Sequence, residues 1–281
     1  FYSTPAILNN DTLIAGDYSG TLHAVDLETG QSLWTNDTGS GRLIASPFVI
    51  DGTIFAPSSN QQVYAISESG DLLWDNFRAE EPIWATPITS QDCECLYVAG
   101  MDHILYSLAV NDGSVQWQTE PLGGAIVSQP AIDENGDLYV GTFANELLSI
   151  DRSSGNINWR FPTEDWVWTS PQVANGLVII GDLSGTLYSV NSENGTSEWK
   201  VQPGGPIIGD PWITEDGSIL FATEDGLLIR VSESGTIELN QTTAYTFYSG
   251  PIQTEDMILI TSNQPDAVLI AFNESGTPRW V

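Results

Sequence analysis

Few residues in this chain of 281 are equipped for covalent or metal chemistry. It holds two histidines, His23 and His103, and two cysteines, Cys93 and Cys95. Two imidazoles in separate segments are too few for a Ser/His/Asp relay or a histidine-rich metal site. His23 stands at a strand place held elsewhere by Tyr64, Tyr106, Leu148, Tyr188, Ile229 and Ile270, and reads as a packed core residue. His103 follows Asp102 in a hairpin and reads as a solvated turn residue. Asp133, Asn135 and Asp137 have the opening spacing of a calcium loop, but its glycine at place six and glutamate at place twelve are missing. The segment reads as a hairpin turn. Cys93 and Cys95 flank Glu94; in an extended strand their Cα atoms would lie about 6.6 Å apart, the wide limit for a disulfide, which a turn would shorten. An intraloop disulfide, free thiols and an intermolecular bond all remain open.

Binding chemistry is better represented, and it is aromatic and acidic. Arg78 and Trp84, then Asp165, Trp166 and Trp168, then Asp210, then Tyr245 and Tyr248 all fall in or beside segments of one kind, each just ahead of a conserved-spacing proline. Rings with solvated edges and nearby carboxylates suit a ligand or partner surface. Core packing between neighbouring elements is the competing reading for each ring.

The elements that must position these residues repeat about every 40 residues. Prolines recur at Pro5, Pro47, Pro87, Pro130, Pro171, Pro211 and Pro251, and turn glycines at Gly30, Gly70, Gly113, Gly155, Gly195, Gly235 and Gly276. Four residues after the glycine comes Trp34, Trp74, Trp117, Trp159, Trp199 or Trp280; the sixth cassette has Leu239 instead. That cassette also carries Arg230 where the others keep Ala or Ser, and so long a cation must pair with a carboxylate or point into a groove. In the fourth cassette, runs at 125–132, 137–142, 146–151 and 156–161 are rich in β-formers and separated by Asp/Asn/Gly turns, so each cassette predicts four short strands. The period predicts an all-β, seven-bladed β-propeller with four antiparallel strands per blade. Its blades are expected at about 1–36, 37–76, 77–119, 120–161, 162–201, 202–241 and 242–281, forming one domain. Ser3, Ala45, Ala85, Ser128, Thr169, Gly209 and Ser249 are small, as a narrow central channel would require. The larger Tyr2, Ile44, Trp84, Val127, Trp168, Ile208 and Tyr248, one residue earlier, are expected between blades.

Ala24, Asp26, Thr29, Gly30 and Trp34 fit the pattern A-x-D-x-x-T-G-x-x-x-W, with weaker copies around Gly155 and Gly195. By this motif the chain resembles the quinoprotein-type (PQQ-like) propeller repeats, in which the tryptophans dock against the neighbouring blade. The resemblance implies structural roles for Trp34, Trp74, Trp117, Trp159, Trp199 and Trp280. It extends to two kinds of relative: dehydrogenases holding pyrroloquinoline quinone and calcium, and non-catalytic outer-membrane assembly lipoproteins. The dehydrogenases characteristically have eight blades and a vicinal Cys-Cys pair, whereas this chain has seven cassettes and Cys-Glu-Cys. The expectation is therefore a non-catalytic scaffold with no cofactor and no metal. A polysaccharide-binding or polysaccharide-acting propeller and a quinone-dependent oxidoreductase are the alternatives.

The formal charge of −30 comes from 37 acidic residues against seven basic ones, a shortage of cations that disfavours binding to nucleic-acid phosphates. No stretch is long and apolar enough to insert in a membrane. Sequons at Asn10, Asn36, Asn194, Asn240 and Asn273 are expected in turns or loops open to glycosylation. With two cysteines and one lysine they suggest an extracellular or cell-surface setting and a protein or cell-surface glycan as partner. The start at Phe1, without Met or signal peptide, reads as a piece of a longer chain.

Overall fold

The computed structural model describes residues 3–39, 41–90, 93–254 and 256–281, so Tyr2 and the start at Phe1 lie outside the described residues. These residues form seven four-stranded antiparallel sheets, at 6–37, 48–74, 88–118, 131–162, 172–201, 212–242 and 252–280, each with its strands paired in chain order. No helix occurs among them. Contacts divide the chain into two compact units: 1–130 with 153–156, and 131–152 with 157–281.

Tight turns make chain-order pairing possible. All seven repeat glycines adopt positive φ, from 69° at Gly113 to 87° at Gly70, a region costly for any residue with a Cβ. Trp34, Trp74, Trp117, Trp159 and Trp199 each lie on the glycine of the following cassette, whereas Gly30 carries no indole. A Cβ on Gly70 would come within 2.8 Å of Trp34, and one on Gly195 within 2.7 Å of Trp159. The indole nitrogens donate to the same turns: Trp34 to the Glu68 carbonyl at 2.9 Å, Trp74 to Val110 at 2.9 Å, Trp159 to Ser192 at 2.9 Å and Trp199 to Glu233 at 2.8 Å. Trp74 is buried, Trp34, Trp117, Trp159 and Trp199 are half-buried, and Trp280 is exposed.

Directly across the ladder from each tryptophan stands a small residue: Ala24, Ala65, Ser107, Ser149, Ser189 or Ala271, and a register shift follows it in every sheet. In the sixth sheet Arg230 faces Leu239 instead. Its Nη2 donates to Gln253 Oε1 at 2.7 Å rather than to a carboxylate, and its buried Nε has no partner. The receiving glycine, Gly276, is retained at φ 77° against Leu239. Leu239→Trp combined with Arg230→Ser rebuilds the pair the other sheets use and should raise the melting temperature. Trp159→Ala should cost about 3 kcal/mol. Chemical denaturation of both variants measures these effects, and an unchanged Trp159→Ala midpoint would remove the indole from the stability argument.

The cores sit between consecutive sheets. Tyr139 and Leu147 of the fourth sheet meet Val178, Ile180, Tyr188 and Val190 of the fifth around Val167. Here the structure corrects one expectation. Only Ala131–Ile132 of the predicted 125–132 run is strand; the residues before it form an irregular lead-in. Within the lead-ins burial alternates, but the small residues Ala45, Ala85, Ser128, Thr169 and Gly209 are the buried ones, together with Leu43, Ile83, Ile126, Val167, Ile207 and Phe247 two places earlier. The larger Ile44, Trp84, Val127, Trp168, Ile208 and Tyr248 therefore do not fill the space between blades. A one-place error in register moves a whole set of side chains to the other face.

Candidate functional site

The lead-in of the fifth sheet is held from below by a carboxylate that the sequence reading did not single out. Asp182, fully buried, ends the Leu177–Gly181 strand. Its Oδ1 accepts bonds from Ser184 N at 3.0 Å, Ser184 Oγ at 2.5 Å and Thr186 N at 3.1 Å, which fixes the 182–186 turn. Its Oδ2 accepts from Tyr188 OH at 2.8 Å and from the backbone of Glu164 at 3.0 Å and Asp165 at 3.1 Å. Six donors satisfy both oxygens. Burial, followed by the bond to Asp182, pushes the Tyr188 phenol well above its usual range, so it stays a donor.

Beyond that anchor, Val167 inserts against Gly141, where a Cβ would come within 2.2 Å of it. Its neighbours Trp166 and Trp168 turn outward, 46% and 37% exposed. Phe143, on the turn between the Leu138–Thr142 and Glu146–Ile150 strands, stacks on Trp166 at 4.7 Å and 9° and tilts against Trp168 at 5.3 Å. The Trp166 carbonyl accepts Leu183 N at 3.0 Å, and Asp165 Oδ1 accepts Trp166 N at 2.8 Å. Glu164 is paired with Lys200 at 2.6 Å. Three rings thus form a continuous partly exposed surface beside two carboxylates, on a rigid loop.

The first unit contains the same device with other residues. Asp17-Tyr18-Ser19-Gly20-Thr21 repeats the D-x-S-G-T order of 182–186. Asp17 Oδ1 accepts Ser19 N and Thr21 N, each at 2.9 Å, while Oδ2 pairs with His23 Nε2 at 2.8 Å. His23 is therefore not a packed core histidine: it is half-buried and takes the place of Tyr188. Burial works against ionisation of Asp17, but the bonds from His23, Ser19 and Thr21 outweigh it and hold the carboxyl well below the usual range. Arg42, at the lead-in place equivalent to Trp166, lies 4.3 Å over the Tyr18 ring, and Tyr18 matches Phe143. The repeated D-x-S-G-T was the available sequence signal for both anchors.

The other expected site residues are distributed unevenly. Arg78, exposed, donates to Gln61 Oε1 at 2.8 Å, and Trp84 is half-buried with its Nε1 buried and unpartnered; both belong to the first unit. In the second unit Tyr248 is exposed and donates to Glu224 at 2.9 Å, whereas Tyr245 is half-buried and packs against the core formed by Leu228, Phe247 and Ile270. Asp210 accepts Ser170 N at 2.6 Å. The residue is exposed to water, but the protein crowding its carboxyl raises the pKa against the bonds from Ser170. A carboxyl raised in the folded state favours folding at low pH and loses that contribution as pH rises through its folded pKa. Asp210→Asn should therefore melt higher than the parent at pH 7, with the gain shrinking toward about pH 4; a pH-independent difference would contradict this.

Cys93 and Cys95 form a disulfide with Cα atoms 5.2 Å apart, and the Tyr97 hydroxyl lies 3.6 Å from Cys95 Sγ. The Asp133–Asp137 segment is a hairpin turn, Asp133 Oδ1 accepting Asn135 N and Asp137 N at 2.9 Å. His103 sits half-buried in its hairpin at φ 70°. Asn10, Asn194 and Asn273 lie in turns as expected, but Asn36 and Asn240 lie in strands, and the Asn36 amide donates to the Gly70 carbonyl at 2.9 Å. Among the described residues no three His, Cys, Asp or Glu side chains gather as a metal site, and no helix is long and apolar enough to cross a membrane.

Seven sheets of this pattern, with an indole seated on the turn glycine in five of them, define an all-β seven-bladed propeller of the PQQ-like class. The family model described as outer membrane protein assembly factor BamB (PQQ_2) matches residues 2–121 and 100–209, and the chain belongs to that family. BamB of Salmonella typhimurium is 26% identical over 67% of this chain and 49% of its own length. The β-alanine-activating enzyme of Drosophila melanogaster is 25% identical over 89% of this chain, which spans only 26% of that protein. The crystal structure of BamB from Moraxella catarrhalis superposes with a TM-score of 0.81 over 97% of this chain and 85% of its own, at 16% identity, a likeness of fold.

Proposed function

We propose that this propeller is a non-catalytic protein-binding module that works outside the cytoplasm, at the cell envelope or on the extracellular side. The observation that carries the reading is the Phe143, Trp166 and Trp168 surface. Exposed aromatic rings cost solvation unless a partner covers them, and these are mounted on a loop fixed by a fully buried carboxylate. Rigid rings on short loops are what an interface anchor needs. Membership of the BamB family supports a protein partner, because those relatives are named for outer-membrane assembly. The Cys93–Cys95 disulfide and exposed Asn10, Asn194 and Asn240 support an oxidising, glycan-bearing setting. A glycan partner is the second reading, favoured by the flat Phe143–Trp166 stack, which also suits a sugar ring.

The test is affinity capture from the source cell envelope with the parent and with Trp166→Ala/Trp168→Ala. A protein retained by the parent and lost by the double variant, at equal melting temperature, is the expected result. Identical captured sets from both proteins would sink the assignment of the surface.

A further inference from the structure

We infer that the partner presents a basic segment, and that an arginine or lysine side chain of it stacks on the open face of Trp166. This rests on the protein-binding reading above and specifies the partner's chemistry. Trp166 is covered on one face by Phe143 at 4.7 Å yet 46% exposed, so a π face is turned to solvent. Indole is the best cation acceptor among the aromatic rings. Asp165 immediately precedes it, while Glu164 before that is already paired with Lys200; Tyr248 and Glu224 form another aromatic–carboxylate pair in the same unit, and the whole chain carries −30 with seven basic residues. Such a field attracts cationic segments and repels acidic ones.

The chain itself shows what this position favours. In the first unit Tyr18, the counterpart of Phe143, carries a guanidinium: Arg42 lies 4.3 Å above it and donates to its hydroxyl at 2.8 Å. In the fourth and fifth cassettes the ring of Trp166 has replaced that internal cation. Both stacks have two layers, and the second ends in an aromatic face where the first unit ends in a charge.

Fluorescence anisotropy of labelled octapeptides tests this: alternating Arg-Ser, the Lys-Ser and Glu-Ser counterparts, and Gln-Ser, with a β-1,4-linked glucose hexamer as competitor. The Arg-Ser and Lys-Ser peptides should bind, more weakly at high salt, and Trp166→Ala should reduce their affinity about tenfold. Trp166→Leu, which keeps apolar bulk, should lose the same affinity and guards against a folding defect in the alanine variant. Equal binding by parent and Trp166→Leu would overturn the inference, since general acidity would then explain the affinity. Trp166-dependent binding of the Gln-Ser or Glu-Ser peptide alone would overturn the basic partner while leaving the protein-binding reading standing. Trp166-dependent binding of the hexasaccharide with no peptide bound would overturn both.

Discussion

Asp182→Ala should cost about 3–5 kcal/mol, the scale of removing one partner from a buried charged network. Six donors converge on this carboxylate, and the alanine variant leaves them facing a cavity: two hydroxyls and four backbone N–H groups, of Glu164, Asp165, Ser184 and Thr186. A buried unsatisfied donor costs about 1–3 kcal/mol, less where water enters. Asp182→Asn should recover less than half of the loss, because its amide nitrogen would confront donors where the carboxylate accepts. The effect should also be local before it is global. The 163–169 segment loses its tie to the sheet, so chymotryptic cleavage at Trp166 and Trp168 should accelerate under conditions where the rest of the chain is folded. Urea denaturation and a cleavage time course measure both, and a loss below about 1 kcal/mol would show that the lead-in is held by other contacts.

That anchor marks where the sequence was legible and where it was not. The turns were plain, because Gly195 and its counterparts need positive φ and Trp159 and its counterparts need a flat place to lie, and both demands restrict residue type. The exposed pair Trp166 and Trp168 stood out by composition. Asp182 did not, since a lone acid after a strand looks like any turn residue until its lead-in partners, 17 and 18 residues earlier, are brought beside it. His23 is hidden for a related reason: its strand place is apolar in three cassettes, and only the Asp17 carboxylate reveals that the tyrosines there are chosen for their hydroxyls. Tyr245, half-buried against the core, and Tyr248, exposed, are the same residue type in one irregular segment whose register no sequence period announces.

Gly209→Ala should be the other severe substitution, lowering stability by about 3 kcal/mol, the upper end of overpacking costs. The sequence suggested that small residues at this place make room around an axis. The structure gives a stricter reason. A Cβ on Gly209 would stand 2.0 Å from the Ser249 carbonyl carbon and 2.2 Å from Gly250 N, and a Cβ on Gly250 would stand 2.1 Å from the Asp210 carbonyl oxygen. These obstacles are backbone, so no rotamer change relieves them. The lead-ins of the sixth and seventh sheets approach too closely here for any side chain, and each glycine accommodates the other strand. Ala45, Ala85, Ser128 and Thr169 hold the same place in other cassettes, so the requirement belongs to this pair and not to the repeat. Alanine at 209 must push the seventh lead-in outward, strain the Leu220, Leu228 and Phe247 core, and disturb the neighbouring Asp210 and its 2.6 Å bond from Ser170. Ala45→Gly, the reverse exchange in the first unit, should cost about 1.5 kcal/mol, from backbone entropy and a lost buried methyl. Denaturation midpoints of the two variants decide the matter: equal small losses would mean that the close approach relaxes freely, and that the glycine records only a preference for small size.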